Sequence, residues 1–250
     1  MNNSIVDISR PLINILFPNR CSFCGRILEK RSCICRRCLS SIELIRQPFC
    51  PGCGAPLTAG LTTDENSCNQ CRDLTFHYNK NESLGVFNGK LRELIHLYKF
   101  NRRRSLYRLF SELLLKHKMQ YIMDHDILIS MPLSRSRYSE RGFNQSHLIA
   151  REISKRTAIT FYGNVITRKG NAQPQSNITT RKERLSNVTD LFIIKRRWRR
   201  FLYKKNILLF DDVLTTGATA SECAHSLFNA KVRNVDILTL ARALRGPSAV

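Results

Sequence analysis

Two adjacent acids, Asp211 and Asp212, close a run of four apolar residues, Ile207–Phe210, and Thr215, Thr216, Gly217, Ala218 and Thr219 follow. Side-by-side carboxylates repel each other, so the pair needs a reason beyond strand formation. The loop leads into a helix-like stretch, residues 221–230. A helix N-terminus offers free N–H groups and a positive dipole end to a phosphate. The threonine hydroxyls add donors, and Gly217 lets the backbone approach closely. A phosphate for the loop and a polyol for the acids make one ligand, a ribose 5-phosphate. Helix capping by Asp212 is the plain alternative. It needs one short polar residue and accounts for neither the second acid nor the hydroxyls.

The second chemical signal is cysteine. Nine of ten lie in the first 71 residues, and eight form Cys-x-x-Cys pairs: Cys21/Cys24, Cys35/Cys38, Cys50/Cys53 and Cys68/Cys71. Two residues between thiolates allow a tight turn that aims both sulfurs at one ion, so paired units imply Cys₄ zinc. Gly25, Gly52 and Gly54 supply turn conformations around the pairs. Few aliphatic residues separate the pairs, so metal must supply folding energy. Disulfides suit an oxidising compartment, and iron–sulfur ligation favours a different spacing. Spacing leaves open whether the pairs combine in chain order or crossed, with Cys33 as a spare thiol. Cys223 falls on an apolar helix face and reads as core.

These groups need elements to position them. Strands are expected at 83–88, 126–132, 165–167, 206–212 and 235–242. Helices are expected over 89–118, broken near 101–104, and over 143–156 and 217–229. Strand–helix alternation with Ile, Leu and Val strands argues a mainly parallel sheet covered on both faces. Ligands then bind beyond the strands' carboxyl ends, where neither Asp211 nor Asp212 belongs to the core. The domains divide as 1–78, a short helix plus a double zinc module, and 79–250, the α/β part.

The formal net charge is +22, from 41 Lys+Arg and 19 Asp+Glu. Residues 1–78 hold 9 basic and 6 acidic side chains, so 79–250 hold 41−9 = 32 and 19−6 = 13, a net of +19. Such an excess favours nucleic acid, phosphate ligands or an anionic membrane face. Two runs concentrate it: Arg102, Arg103 and Arg104, and residues 195–205 with Arg196, Arg197, Trp198, Arg199 and Arg200. Aromatics among cations suit phosphate contacts plus base stacking on single-stranded DNA. The alternative is an amphipathic helix that turns Trp198, Phe201 and Leu202 to the core. No apolar run approaches the roughly 20 residues of a membrane span. Ile5, Ile8, Leu12, Ile15 and Leu16 recur at helical spacing before Pro18, as in a short helix docking on its own protein or on a membrane surface. The chain reads as cytoplasmic, with the inner face of the membrane as a peripheral option.

The segment 207–219 resembles the phosphoribosyl-pyrophosphate (PRPP) motif of type I phosphoribosyltransferases. Residues 131–146, MPLSRSRYSERGFNQS, resemble the signature of the ComF family, which is associated with natural transformation. Residues 172–192 resemble that family's flexible loop, with Gln175, Arg181, Arg184 and Asn187. The Leu94–Phe100 segment fits too, and the motifs occur in the expected order. The resemblance implies a type I phosphoribosyltransferase-like sheet behind a zinc-ribbon module. It implies that Asp211 and Asp212 hold ribose hydroxyls, that Thr215–Thr219 hold the 5-phosphate, and that magnesium bridges diphosphate and ribose oxygens. It also implies single-stranded DNA and other competence or recombination proteins as partners. Arg135 and Arg141 offer forked donors for diphosphate, and Arg137 reads equally as a solvated surface residue. No acceptor site or general base is visible, and Glu183 in the flexible loop is a poor one, so turnover has no support in the residues.

Overall fold

The computed structural model describes residues 20–28, 33–57, 67–71, 74–100, 103–169 and 191–244. The N-terminal helical pattern, Arg102 and the loop with Gln175, Arg181, Glu183, Arg184 and Asn187 lie outside them. The chain divides into two compact units, Met1–Ile42 and Glu43–Val250.

In the smaller unit, Cys21, Cys24, Cys35 and Cys38 gather their sulfurs. A turn closed by Gly25 N–H to Cys21 O (3.0 Å) needs the positive φ of Gly25, +68°. The second pair opens helix α1 (Arg36–Ser40), where the Cys35 sulfur accepts from Cys38 N–H.

The larger unit is an α/β sheet. Its strands are β1 (Asn81–Val86), β2 (Ile127–Ser130), β3 (Thr160–Tyr162), β6 (Asn206–Leu214) and β7 (Asn234–Arg242). They lie in the order β1-β7-β6-β2-β3, and every pairing is parallel. Between β1 and β2 run helices α2 (Gly89–Phe100) and α3 (Leu106–Met123). Helices α4 (Arg135–Arg141) and α5 (Gln145–Arg156) follow β2. A separate antiparallel hairpin pairs β4 (Ile166–Arg168) with β5 (Phe192–Ile194). A 3₁₀ turn (Arg196–Trp198), the one-turn helix α6 (Arg199–Leu202) and helix α7 (Ala218–Phe228) complete the chain order. Ile207, Leu209, Val235 and Ile237 join α7 and the hairpin in one buried cluster. Leu208, Phe210 and Leu238, equally buried, point to the other face by the strand period of two, where α5 covers β2 and β6.

The sheet and its helices agree with the sequence reading in class and in most elements. Two differences have physical causes. The strand expected at 165–167 forms, but in the hairpin and not in the main sheet. Helix α4 escapes hydrophobic periodicity because none of its seven residues is buried. The compact units divide at 42/43. Cys50, Cys53, Cys68 and Cys71 belong to the larger unit because β1 is bonded to them: Asn81 N–H donates to Pro51 O (2.8 Å) and Asn81 Nδ2 to Cys53 O (3.1 Å).

The tetrads pair in chain order, and neither includes Cys33. In each, all four sulfurs lie within 4.8 Å of one another, and Cys24–Cys35 and Cys53–Cys68 are 3.6 Å apart. Tetrahedral zinc with bonds of about 2.3 Å spaces its sulfurs by roughly 3.8 Å, so the donor sets fit two structural zinc ions. Cys50 and Cys53 are fully enclosed, whereas Cys24 is exposed. Metal analysis should find two zinc ions per chain. Cys53→Ser and Cys24→Ser should each lower the count to one, but only Cys53→Ser should lower the melting temperature of the larger unit.

Candidate phosphoribosyl site

Strand β6 pairs with β7 as far as Leu214, but its pairing with β2 stops at Phe210. The chain leaves β2 after Met131, whose N–H still reaches Phe210 O. From Asp211 onward β6 therefore has one open edge, at the carboxyl end of the sheet where α/β folds bind ligands. A cavity of about 420 Å³ fills that opening. Asp211, Asp212, Thr215, Thr216, Gly217 and Thr219 line it from one side. Arg137 and Arg141 line it from α4, Lys99 and His96 from α2, and Arg168 from β4.

The acids are not equivalent. Asp212 is held by Lys99, whose Nζ lies 2.8 Å from Oδ2. Near a protein surface a unit charge pair about 4 Å apart is worth about 4 kcal/mol, so one close lysine offsets much of the acid–acid repulsion. Asp211 is half-buried like Asp212 and lies outside the core cluster. Its Oδ1 accepts from Asp212 N–H (2.8 Å) and Ser146 Oγ (3.4 Å). Burial and the Asp212 carboxylate push its pKa up to about 7, against the pull of those hydrogen bonds and Lys99.

The threonine loop is held from below. Gly217, at φ +83°, caps α7, and a Cβ there would meet Tyr78 Oη at 2.8 Å and Phe76 Cε1 at 2.9 Å. Both the backbone angle and the space therefore require glycine. Phe76 and Tyr78 stack with centroids 4.9 Å apart, and Tyr78 Oη donates to Gly52 O (2.7 Å) inside the Cys50–Cys53 turn. Arg242, 2% exposed, donates from Nη1 to the carbonyls of Leu214, Thr215 and Ala243. Its guanidinium occupies the acceptors on one side of the loop, and Thr216 Oγ1 takes the Ala218 N–H (3.3 Å).

Helix α4 sorts the arginines. Arg137 and Arg141 stand one turn apart and share a face, whereas Arg135, two residues before Arg137, lies about 200° around the helix. Arg135 accordingly lines a neighbouring cavity and not this one. Arg141 stacks over Phe100 at 5.2 Å, and its Nε is buried without a hydrogen-bond partner. Ala218 is buried at the helix start and does not line the cavity. Sequence reasoning passed over Lys99, His96, Arg168 and Arg242. The Leu94–Phe100 segment flagged the first two without giving them a role. Nothing local marked the other two.

Of the basic runs, Arg103, Arg104, Arg196, Arg197, Arg199 and Arg200 are exposed. Trp198 is half-buried, packs against the core cluster and lies 4.7 Å from Tyr162. The exposed aromatics of this run are Phe201 and Tyr203, each under a cation: Arg200 at 4.6 Å and Lys204 at 5.3 Å. No helix among the described residues is long and apolar enough to cross a membrane.

Residues 12–72 match the family described as double zinc ribbon domain. The chain is 26% identical over 233 residues to competence protein F of Haemophilus influenzae, covering 91% of this chain and 98% of that one. It is 28% identical over 216 residues to the DNA utilization protein YhgH of Escherichia coli O157:H7, covering 84% and 91%. It is 28% identical over 226 residues to competence protein ComFC of Bacillus subtilis, covering 87% of each. Among solved structures, an adenine phosphoribosyltransferase is 16% identical over 56% of this chain and 74% of that one, at a TM-score of 0.36. The chain is thus a homologue of proteins named for competence and DNA utilization over most of its length, with two cysteine tetrads at its N-terminal end.

Asp211 generates a signed expectation. Between pH about 4 and 7 the folded protein holds a proton that the unfolded chain, with a carboxyl pKa of about 3.9, has released. The unfolded state then binds fewer protons, so this group makes stability fall as pH rises through that window. Asp211→Asn removes the effect. The variant should melt close to the native protein at pH 5 and several degrees above it at pH 8, read by thermal denaturation.

Proposed function

We propose that this homologue of competence proteins binds PRPP or a related sugar phosphate in the α4–β6 cavity and single-stranded DNA on its basic face. It would handle incoming DNA in the cytoplasm during natural transformation. The observation that carries the first half is the convergence of two carboxylates, a threonine loop at a helix start and two arginines on one cavity. Asp211 and Asp212 would take the ribose hydroxyls, and Thr215, Thr216, Gly217 and Thr219 the 5-phosphate. Arg137 and Arg141 would take diphosphate oxygens, for which a fork of donors is suited. The donor set also fits Mg²⁺, a hard cation held through few carboxylates plus ligand phosphates, here Asp211 and Asp212. The metal would neutralise diphosphate charge.

The name of the DNA utilization relatives supports the second half. So does the charge of residues 79–250, with exposed arginines on both runs. Other competence or recombination proteins fit as partners on the same path. A second reading, transfer of the phosphoribosyl group to a small acceptor, has His96 in its favour as an imidazole lining the cavity. Diphosphate release on adding a nucleobase, lost in His96→Ala, is the result that supports it.

Adding PRPP with magnesium should raise the melting temperature by mass action on the folded state. Asp211→Asn with Asp212→Asn should abolish that shift in a folded protein. A shift that survives in the double variant refutes the assignment. For DNA, affinity should fall with salt at a log–log slope of roughly −0.7 per neutralised phosphate. Arg199→Ala with Arg200→Ala should flatten that slope for all sequences alike. Trp198→Ala should lower the melting temperature, whereas Phe201→Ala with Tyr203→Ala should weaken DNA binding in a stable protein. An unchanged slope in the arginine double variant counts against the run.

A further inference from the structure

Helix α4 is a ridge between two cavities. Its Arg137/Arg141 face lines the phosphoribosyl cavity. Arg135 and Tyr138, three residues apart and so neighbours on the helix surface, line the second, of about 730 Å³. Pro132, Leu133, Ser134 and Arg168 line both. Four cations converge on the second cavity: Arg135, Arg151, Arg168 and Lys195. None of the sixteen described residues that line it is acidic.

Like charges gathered on a concave surface without a carboxylate repel one another, and an anion relieves them. Arg168 is half-buried between the two cavities, and burial together with the Arg137 guanidinium on the first cavity's side pulls its pKa below the ordinary arginine value. The cavity also offers ring surface. Phe143 forms part of the wall, Tyr138 is 55% exposed, and His147 stands edge-on to Phe161 at 5.0 Å. Gly163 is what admits the imidazole, since a Cβ there would meet His147 Cε1 at 2.3 Å.

The cavity's position joins features that lie far apart in the sequence. Lys195, the first cation of the long run, lines it. Arg104, the last of the short run, stacks on Phe143 at 4.9 Å and donates to Gly142 O. The two basic runs, 90 residues apart in the chain, therefore flank one hollow. We infer that this second cavity is a nucleotide subsite for single-stranded nucleic acid. Arg135, Arg151, Arg168 and Lys195 hold backbone phosphates, an unpaired base stacks on Tyr138, and the strand runs from Arg104 to the 195–205 segment. The inference rests on the DNA reading above and gives it an address. A duplex cannot present an unpaired base face, so the subsite selects single strands.

The test uses the full chain, a labelled oligothymidylate of about twelve nucleotides and fluorescence anisotropy. Arg151→Ala with Lys195→Ala removes two cations from the hollow and leaves the phosphoribosyl cavity intact. Arg92→Ala with Lys116→Ala removes the same charge from residues that do not line it. The cavity variant should lose tenfold or more in affinity at low salt and reduce the salt slope by about 1.4, two contacts at roughly 0.7 each. The control should lose less than twofold. Tyr138→Ala should weaken binding with the slope unchanged, and unlabelled duplex should compete poorly. A strand carrying 4-thiothymidine should crosslink within residues 135–151 or at Lys195. Melting temperatures close to native would show each variant folded. Equal losses in the cavity variant and the control, or crosslinks only elsewhere, overturn the subsite while leaving the DNA reading in place. If the native protein binds no oligothymidylate at low salt, both fall.

Discussion

The stack of Phe76 on Tyr78 is the contact on which the candidate site depends. It lies beneath Gly217, leaving no room for a side chain there, and its hydroxyl is tied to Gly52 within the Cys50–Cys53 turn. Phe76 packs against both the second cysteine cluster and the main core. The threonine loop thus rests on aromatic rings that rest on a metal-binding turn. Arg242 completes the support from the last strand, through three carbonyls. The Cys53 thiol is pulled down by hydrogen bonds from Cys50, Cys68 and Cys71, and also by the charge of Arg242. One buried guanidinium therefore serves a cysteine cluster on one side and the loop on the other. A Cys₄ zinc site carries net negative charge, and a buried arginine beside it is less costly than one alone. On this physical basis the second tetrad belongs to the sheet's own architecture.

Electrostatics sets the character of the sheet's carboxyl end. In a chain of +22, two acids stand together where three arginines and a lysine converge. Lys99 holds the half-buried Asp212, while Asp211 accepts from the Asp212 N–H and Ser146 and is kept near the pH at which it changes charge. A group so placed costs stability when ionised, and such costs concentrate at sites adapted to bind. The arrangement is pre-formed: cationic and hydroxyl donors face two carboxylates across about 420 Å³.

Helix α4 shows how a short polar element can matter more than a long apolar one. Seven residues with no buried side chain divide two cavities, and helical geometry alone decides which arginine serves which. Its N-cap, Ser134 accepting from Arg137 N–H, and its left-handed C-cap at Gly142 hold a segment that has no apolar face to anchor it.

The sequence by itself determined what local chemistry can determine. Cys-x-x-Cys spacing defined the metal donors, because two intervening residues constrain a turn regardless of the rest of the chain. Period-two and period-3.6 patterns marked most strands and helices. The apolar–acid–acid–threonine order of 207–219 marked a strand, a loop and a helix start in succession, and all three form there. Tertiary structure decided everything that depends on distant segments meeting. It settled that the tetrads pair in chain order and that the second one anchors β1. It turned Trp198 toward the core and left Phe201 and Tyr203 outside. It brought Lys99, Arg168 and Arg242 to the loop from three separate elements, where no spacing rule connects them. Short strands such as β3 and β5 were invisible for a related reason: three residues are too few to show a period, and they form only because a partner strand is already in place.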